Sequence, residues 1–167
     1  MAQTEGTTRR SRTVFGFIGR FLAAWMAGLA ILAMVPGVER WAIHATIESL
    51  GIAAHMLRVE CAVSGAYVKL GGVNLEIITD CTPVMPTLAL WGAMLAFPAP
   101  AKWKLGGIGI GGTMLWVYNL ARILALALVL RFHPTWFEFV HVYLWQTLTL
   151  LVVLVMFVSW IRLLRVG

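Results

Sequence analysis

The sequence predicts an all-α membrane protein with about four transmembrane helices, both termini in the cytoplasm, and a short extracytoplasmic segment that holds one helix and a β-hairpin. The 167 residues are 60% hydrophobic and 12% charged, with a mean hydropathy of +0.86, which leaves too little polar surface for a soluble globular domain. Long apolar runs in lipid must satisfy their own backbone hydrogen bonds, and helices do so. We therefore expect one small helical domain in the membrane.

Four apolar stretches are long enough to cross a membrane, because about 20 residues at about 1.5 Å each cover the hydrocarbon core. They run from Val14 to Val35, from Thr82 to Pro98, from Leu105 to Leu130 and from Phe139 to Ile161. The second is the shortest, and Pro86 is expected to kink it. The first resembles a signal peptide, but no small-residue cleavage site precedes Pro36, so we expect it to remain as an anchor.

The basic residues favour one orientation, because Lys and Arg near helix ends are retained in the cytoplasm. With the N-terminus inside, the cytoplasmic set is Arg9, Arg10, Arg12, Arg20, Lys102, Lys104, Arg162 and Arg165. The outer set is Arg40, Arg58, Lys69 and Arg131. The chain then divides into a cytoplasmic basic N-terminus (1–13), a transmembrane anchor (14–36), an extracytoplasmic segment (37–81) and a three-helix membrane core (82–167). All histidines lie on the outer side, which is therefore the expected chemical face.

The extracytoplasmic segment is predicted to contain a helix and then a hairpin. Between Gly37 and Leu57 the spacing is typical of an amphipathic helix at the membrane interface. Its apolar positions are Trp41, Ile43, Ile47, Leu50, Ile52 and Met56. Alternating apolar residues from Tyr67 to Ile77, around Gly71-Gly72, predict two short strands. The hairpin either presents or covers a substrate or serves as a compact linker.

The net charge of +6 does not indicate a nucleic-acid partner, because the basic residues lie at segment ends rather than along one face. Membrane lipid is the expected surrounding. His44 and His55 are eleven residues apart without a third ligand nearby, so we predict no metal site and no cofactor.

Cys81 is the candidate nucleophile. Thr82 is a good N-cap and Pro83 suits the first helical position, so the thiol is expected at the N-terminal mouth of the second span. A helix N-terminus and nearby cations favour the thiolate, which is the nucleophilic form. The alternative is an inert apolar cysteine.

Arg122 and His141 are the candidate partners of this cysteine. Arg122 lies deep in the third span, in the outer leaflet, where a guanidinium is costly unless it faces a partner or a watery cavity. Asn119, one turn earlier, is expected to hold it. His141 begins the fourth span and is suited to proton transfer, with Glu138 expected to orient its ring. The alternatives are a structural cation that bridges helices and an interfacial histidine.

These residues and their order resemble the exosortase and archaeosortase family, membrane cysteine enzymes with a proposed Cys, Arg and His triad. The resemblance covers roughly residues 40–165. Besides the hairpin before the cysteine, it includes Phe97-Pro98-Ala99-Pro100, Asn119-Leu120-Ala121-Arg122 and His141-Val142-Tyr143-Leu144-Trp145-Gln146. The chain is shorter than typical members, and Cys81-Thr82-Pro83 stands where many members have a Cys-x-Gly turn.

The resemblance implies a cysteine peptidase or transpeptidase in a prokaryotic cytoplasmic membrane, with Cys81, Arg122 and His141 as catalytic residues at the outer face. Its substrates would be secreted proteins that end in a short motif, a transmembrane helix and a basic tail. The enzyme would transfer the cleaved protein to an acceptor or to water.

Two other classes of function stay open. The first is an extracytoplasmic thiol redox protein that uses Cys61 and Cys81, although the two are not a close Cys-x-x-Cys pair. The second is a non-enzymatic membrane assembly subunit, in which Arg122 and His141 only pair helices.

Overall fold

The computed structural model of the protein describes the backbone of residues 2–166 and the side chains of residues 14–35 and 37–165. The chain is mostly helical, with a small sheet between the second and third helices. The helices are α1 (Ala2–Met34), α2 (Pro36–Met56), α3 (Val84–Ala96), α4 (Ala101–Phe132), the single turn α5 (Phe137–Phe139) and α6 (Trp145–Val166). The strands are β1 (Cys61–Ser64), β2 (Tyr67–Leu70) and β3 (Val73–Glu76). Arg9, Arg10 and Arg12 of the predicted cytoplasmic segment lie outside the described side chains.

Among the residues that the structure describes, three helical stretches are long and apolar enough to cross a membrane, which supports the prediction of a membrane protein. They are Val14–Met34, Ala101–Phe132 and Pro134–Arg165. The predicted span from Thr82 to Pro98 corresponds to α3, which has 13 residues and is about 20 Å long, whereas the hydrocarbon core is about 30 Å thick. Four complete crossings therefore stay a prediction. Pro86 lies in the first turn of α3, where its missing N–H breaks no helical bond, so the expected cause of a kink is absent there.

The neighbouring helices run antiparallel, as their close contacts show. Gly28 of α1 lies against Leu88 of α3, whereas Gly92, further along α3, lies against Phe21, which is earlier in α1. Contacts between α3 and α4 and between α4 and α6 reverse in the same way. Phe17 stacks on Phe157 with ring centroids 6.2 Å apart, so the described start of α1 and the C-terminal part of α6 lie at one end of the bundle. We call this the terminal end.

A cluster of aromatic side chains and two glycines pack the terminal end. Trp160 is buried and donates its indole N–H to the carbonyl oxygen of Trp103 at 3.1 Å. A Cβ added at Gly107 would lie 2.5 Å from Trp160 Nε1, and one at Gly111 would lie 2.8 Å from a methyl carbon of Leu90. The Gly-x-x-x-Gly spacing thus lets α4 approach its neighbours closely, as small residues do in membrane helices.

The part of the predicted extracytoplasmic segment that follows α2 folds into an antiparallel sheet of three strands, with β2 in the middle. The two predicted strands are β2 and β3, which pair through Leu70 and Val73 across the Gly71-Gly72 turn. Both glycines have positive φ, +56° and +92°, as a tight two-residue hairpin requires. The sequence did not predict β1, because its residues are mostly exposed and lack an alternating pattern. Arg131, at the end of α4, donates to the carbonyl oxygen of Gly71 at 2.8 Å and so ties the turn to the bundle.

A hydrophobic cluster joins α2, the sheet and α4 at what we call the sheet end of the bundle. Its buried members are Ile47, Leu50, Ala54, Val68, Leu70, Ile77, Ile123 and Ala127. The predicted helix in this segment is confirmed as α2, but its buried face is only partly the predicted one. Trp41, Ile52 and Met56 are 64%, 64% and 79% exposed, because the helix buries a stripe of smaller residues around Ala42 and Thr46.

Gly107→Ala is expected to destabilise the protein by about 1–3 kcal/mol, because the added methyl group overpacks a site held by a rigid indole. Thermal unfolding in detergent micelles measures the effect. Gly106→Ala is the matched control, since a Cβ at Gly106 meets nothing within 4 Å. Equal unfolding temperatures for the two variants would contradict the close approach of α4.

Candidate active site

Cys81 lies in a 3₁₀ turn, Thr79–Cys81, between β3 and α3. We call this the cysteine turn. The prediction that Thr82 caps α3 is wrong, because the Thr82 hydroxyl points back and donates to the carbonyl oxygen of Thr79 at 2.7 Å. The backbone N–H of Thr82 donates to the same oxygen at 2.9 Å. Thr82 therefore closes the cysteine turn, and α3 begins two residues later, at Val84.

The cysteine turn is fastened to the bundle by two side chains. Asn119 of α4 is buried, and its Nδ2 donates to the carbonyl oxygen of Cys81 at 2.7 Å. At the other end of the turn, the Thr79 hydroxyl donates to the Glu39 carboxylate of α2. Asn119 was predicted to hold Arg122, but its amide nitrogen donates to the backbone carbonyl oxygen of Cys81 instead. A buried amide satisfies the nearest unpaired carbonyl, and the turn brings one to it.

The Cys81 thiol is half-buried and packs against the hydrophobic cluster of the sheet end. Its Sγ lies 3.9 Å from the carbonyl oxygen of Glu76, a weak thiol contact. Cys61 of β1 packs against the same cluster, and both cysteines are free thiols.

Arg122 lies one helical turn beyond Asn119 on α4, so the helix carries both groups to the level of the cysteine turn. The guanidinium is partly buried, and its Nε has no hydrogen-bond partner among the described residues. Both Arg122 and Asp80, the residue before Cys81, lie within electrostatic range of the His141 imidazole. The structure therefore brings the elements that carry Cys81, Arg122 and His141 together at the sheet end. No hydrogen bond joins the three side chains directly within the described part of the chain.

His141 lies in a π-helical turn, Val140–Leu144, that leads into α6. Its ring stacks on Phe137, with centroids 5.4 Å apart and planes at 19°. Glu138, which was predicted to orient this ring, is exposed, and in the described residues no hydrogen bond joins the two. Neither the stacking on Phe137 nor the π-helical turn was predicted from the sequence. The four-residue spacing of Phe137 and His141 would have suggested the stacking. Such turns are frequent at functional sites.

Two further residues contribute to the site, and the sequence analysis gave neither a role. Asp80 is the acidic group nearest the cysteine in the chain, and it lies within electrostatic range of His141. Tyr118 lies one turn before Arg122 and packs edge-on against Trp145, with ring centroids 5.9 Å apart. The sequence contains one signal for each residue: Asp80 directly precedes Cys81, and Tyr118 lies one helical turn before Arg122.

The described residues include no group of three or more His, Cys, Asp or Glu side chains that could hold a metal ion. His44 and His55 are both exposed on α2. The candidate site itself contains a thiol (Cys81), a guanidinium (Arg122) and an imidazole (His141).

Asn119→Ala is expected to destabilise the protein by about 1–3 kcal/mol, because it leaves the buried Cys81 carbonyl without its donor. In a Cys61→Ser background, the freed cysteine turn should also make Cys81 react faster with iodoacetamide. Thr113→Ala is the control, since Thr113 is an exposed residue of α4 whose hydroxyl bonds only to its own helix. An Asn119 variant that matches the control in both measurements would contradict the fastening role.

No family model, curated protein or solved structure matches the chain. Support for a function comes instead from the cysteine turn, from Asn119 and Arg122 on α4, and from His141 in its π-helical turn.

Proposed function

We propose that the protein is a membrane-embedded cysteine peptidase or transpeptidase with Cys81 as nucleophile, Arg122 as electrostatic stabiliser and His141 as proton carrier. The observation that carries the proposal is the hydrogen bond from Asn119 to the carbonyl oxygen of Cys81. This bond holds the cysteine turn against the helix that bears Arg122. The charge of Arg122 in turn acts on His141. A nucleophile, a cation and a base from three separate segments are what acyl transfer needs at one place.

The reaction begins when the Cys81 thiol gives its proton to the His141 imidazole. The thiolate attacks the scissile carbonyl carbon, a C–S bond forms, and the π electron pair moves to oxygen. Positive charge from Arg122 stabilises the anion. Collapse of the intermediate breaks the C–N bond, and the imidazolium protonates the leaving amine. An acceptor nucleophile or water then gives a proton to His141 and attacks the thioester; the C–S bond breaks, and the released Cys81 thiolate takes the proton back from His141.

The charge distribution supports an extracytoplasmic active site in the cytoplasmic membrane. Arg20, Lys104 and Arg162 all lie within one turn of aromatic residues that pack the terminal end. Because basic residues are retained in the cytoplasm, the terminal end would face inward and the sheet end outward. A secreted protein anchored by a C-terminal transmembrane helix would carry its processing motif to that outer level. Such proteins are the substrates we propose.

Cys81→Ala is expected to abolish processing, because alanine has no nucleophilic side chain and the other free thiol, Cys61, lies in β1 and not in the cysteine turn. The measurement compares C-terminal peptides of secreted proteins that end in an apolar helix and a basic tail, by mass spectrometry of native cells with and without the chromosomal substitution. Cys61→Ser is the matched control and should process normally. Continued processing by Cys81→Ala would refute the nucleophile, and loss of processing in both variants would instead favour a redox pair.

Arg122→Lys separates an enzyme from an assembly subunit. Lysine keeps the charge but loses the planar fork of donors, so processing should fall by about 10²-fold or more while the protein still accumulates in the membrane. Immunoblotting of membranes and the processing measurement are made on the same cells. Lower protein abundance with unchanged processing per molecule would indicate that Arg122 only pairs helices.

A further inference from the structure

The indole nitrogen of Trp145 is a buried donor that the mechanism above does not use. Trp145 Nε1 has no hydrogen-bond acceptor among the described residues, and the same holds for Arg122 Nε. A buried N–H without an acceptor is energetically unfavourable, because it has lost its hydrogen bond to water and forms no other in its place. Beside the candidate active site, such a group is available to a ligand atom that carries lone pairs.

The two nitrogens belong to neighbouring turns along the seam between α4 and α6. Tyr118 packs against Trp145 with ring planes at 66°, which restricts the indole. Thr149 sets the same register, since its hydroxyl donates to the Trp145 carbonyl oxygen at 2.7 Å and lies 3.2 Å from the Tyr118 hydroxyl. Toward the sheet end, Arg122 follows one turn after Tyr118, and His141 lies one turn before Trp145. Asn119, which bonds to the cysteine turn, lies between Tyr118 and Arg122 in the chain, so both donors lie within about one turn of the level of that turn.

We infer that Trp145 Nε1 and Arg122 Nε together form the oxyanion site, which receives the carbonyl oxygen of the substrate; this rests on the proposed function. Trp145 is then a catalytic residue, because its N–H touches a reacting atom. Both groups only donate hydrogen bonds, as binding of an oxyanion requires. Their partial burial strengthens the interaction, since charge is screened less away from water.

The donors act during formation and collapse of the tetrahedral intermediate. As Cys81 Sγ bonds to the carbonyl carbon, the oxygen gains the π electron pair and accepts from both N–H groups. The pair returns to the C–O bond when the leaving group departs. An interaction that strengthens only while the charge exists lowers the barrier without holding the substrate more tightly.

The test compares two reagents on Cys81 in the Cys61→Ser protein, in lipid nanodiscs. p-Nitrophenyl acetate acylates the thiol through a tetrahedral oxyanion and releases p-nitrophenolate, whereas iodoacetamide alkylates it by direct displacement without an oxyanion. Trp145→Phe keeps an aromatic ring against Tyr118 and should slow acylation by about 10²-fold while alkylation is unchanged. Trp25→Phe is the matched control, because Trp25 Nε1 is also buried and without a partner but lies on α1, against α3.

The outcomes separate the oxyanion site from the proposed function. Selective loss of acylation in Trp145→Phe supports the inference. Equal acylation of Trp145→Phe and the parent protein overturns it and leaves Cys81 as the nucleophile. A parallel fall in acylation and alkylation assigns Trp145 to packing and also overturns it. No acylation of Cys81 in the parent protein overturns the nucleophile and the oxyanion site together.

Discussion

The hydrogen bond from Asn119 Nδ2 to the carbonyl oxygen of Cys81 joins α4 to the cysteine turn. The turn is short and belongs to no long helix or strand that would hold it in place. Because the amide is buried, the bond has little competition from water, and its loss would leave two polar groups unsatisfied. Thr79 and Glu39 fasten the other end of the turn to α2. The position of the thiol relative to α4 therefore depends on a few polar contacts, whereas the surrounding cluster supplies shape and burial.

α4 connects the two ends of the molecule by different physical means. At the terminal end, Gly107 and Gly111 let it approach Trp160 and Leu90, so packing depends on missing side chains. At the sheet end, the same helix presents polar groups, of which Asn119 is bonded and Arg122 is partly unsatisfied. Close packing at the terminal end thus holds α4 rigidly, and the rigid helix orients Asn119 and Arg122 at the sheet end.

Hydropathy and turn chemistry were enough to predict the long helices and the hairpin, because those elements depend on local composition. Gly71-Gly72 permits the tight turn, and few other residue pairs do. The hydrogen-bond partners that side chains find in the folded protein could not be predicted from the sequence. The spacing of Asn119 was compatible with accepting a hydrogen bond from Arg122, and only the folded chain shows that its Nδ2 donates to the carbonyl oxygen of Cys81. Thr82 is a frequent N-cap residue, but a 3₁₀ turn competes for its hydroxyl.

The shortness of α3 has a consequence for the surrounding lipid. A helix of 13 residues is about 10 Å shorter than a typical hydrocarbon core is thick. A bilayer accommodates such a hydrophobic mismatch by thinning locally or by leaving the helix end recessed. Within the protein, Asn119 holds the cysteine turn against the interior of α4 (Ala101–Phe132) rather than against either end of that helix. The half-buried thiol packs there against the hydrophobic cluster, so polar contacts around it are screened less than in water, and any molecule that reached the thiol would first have to shed water.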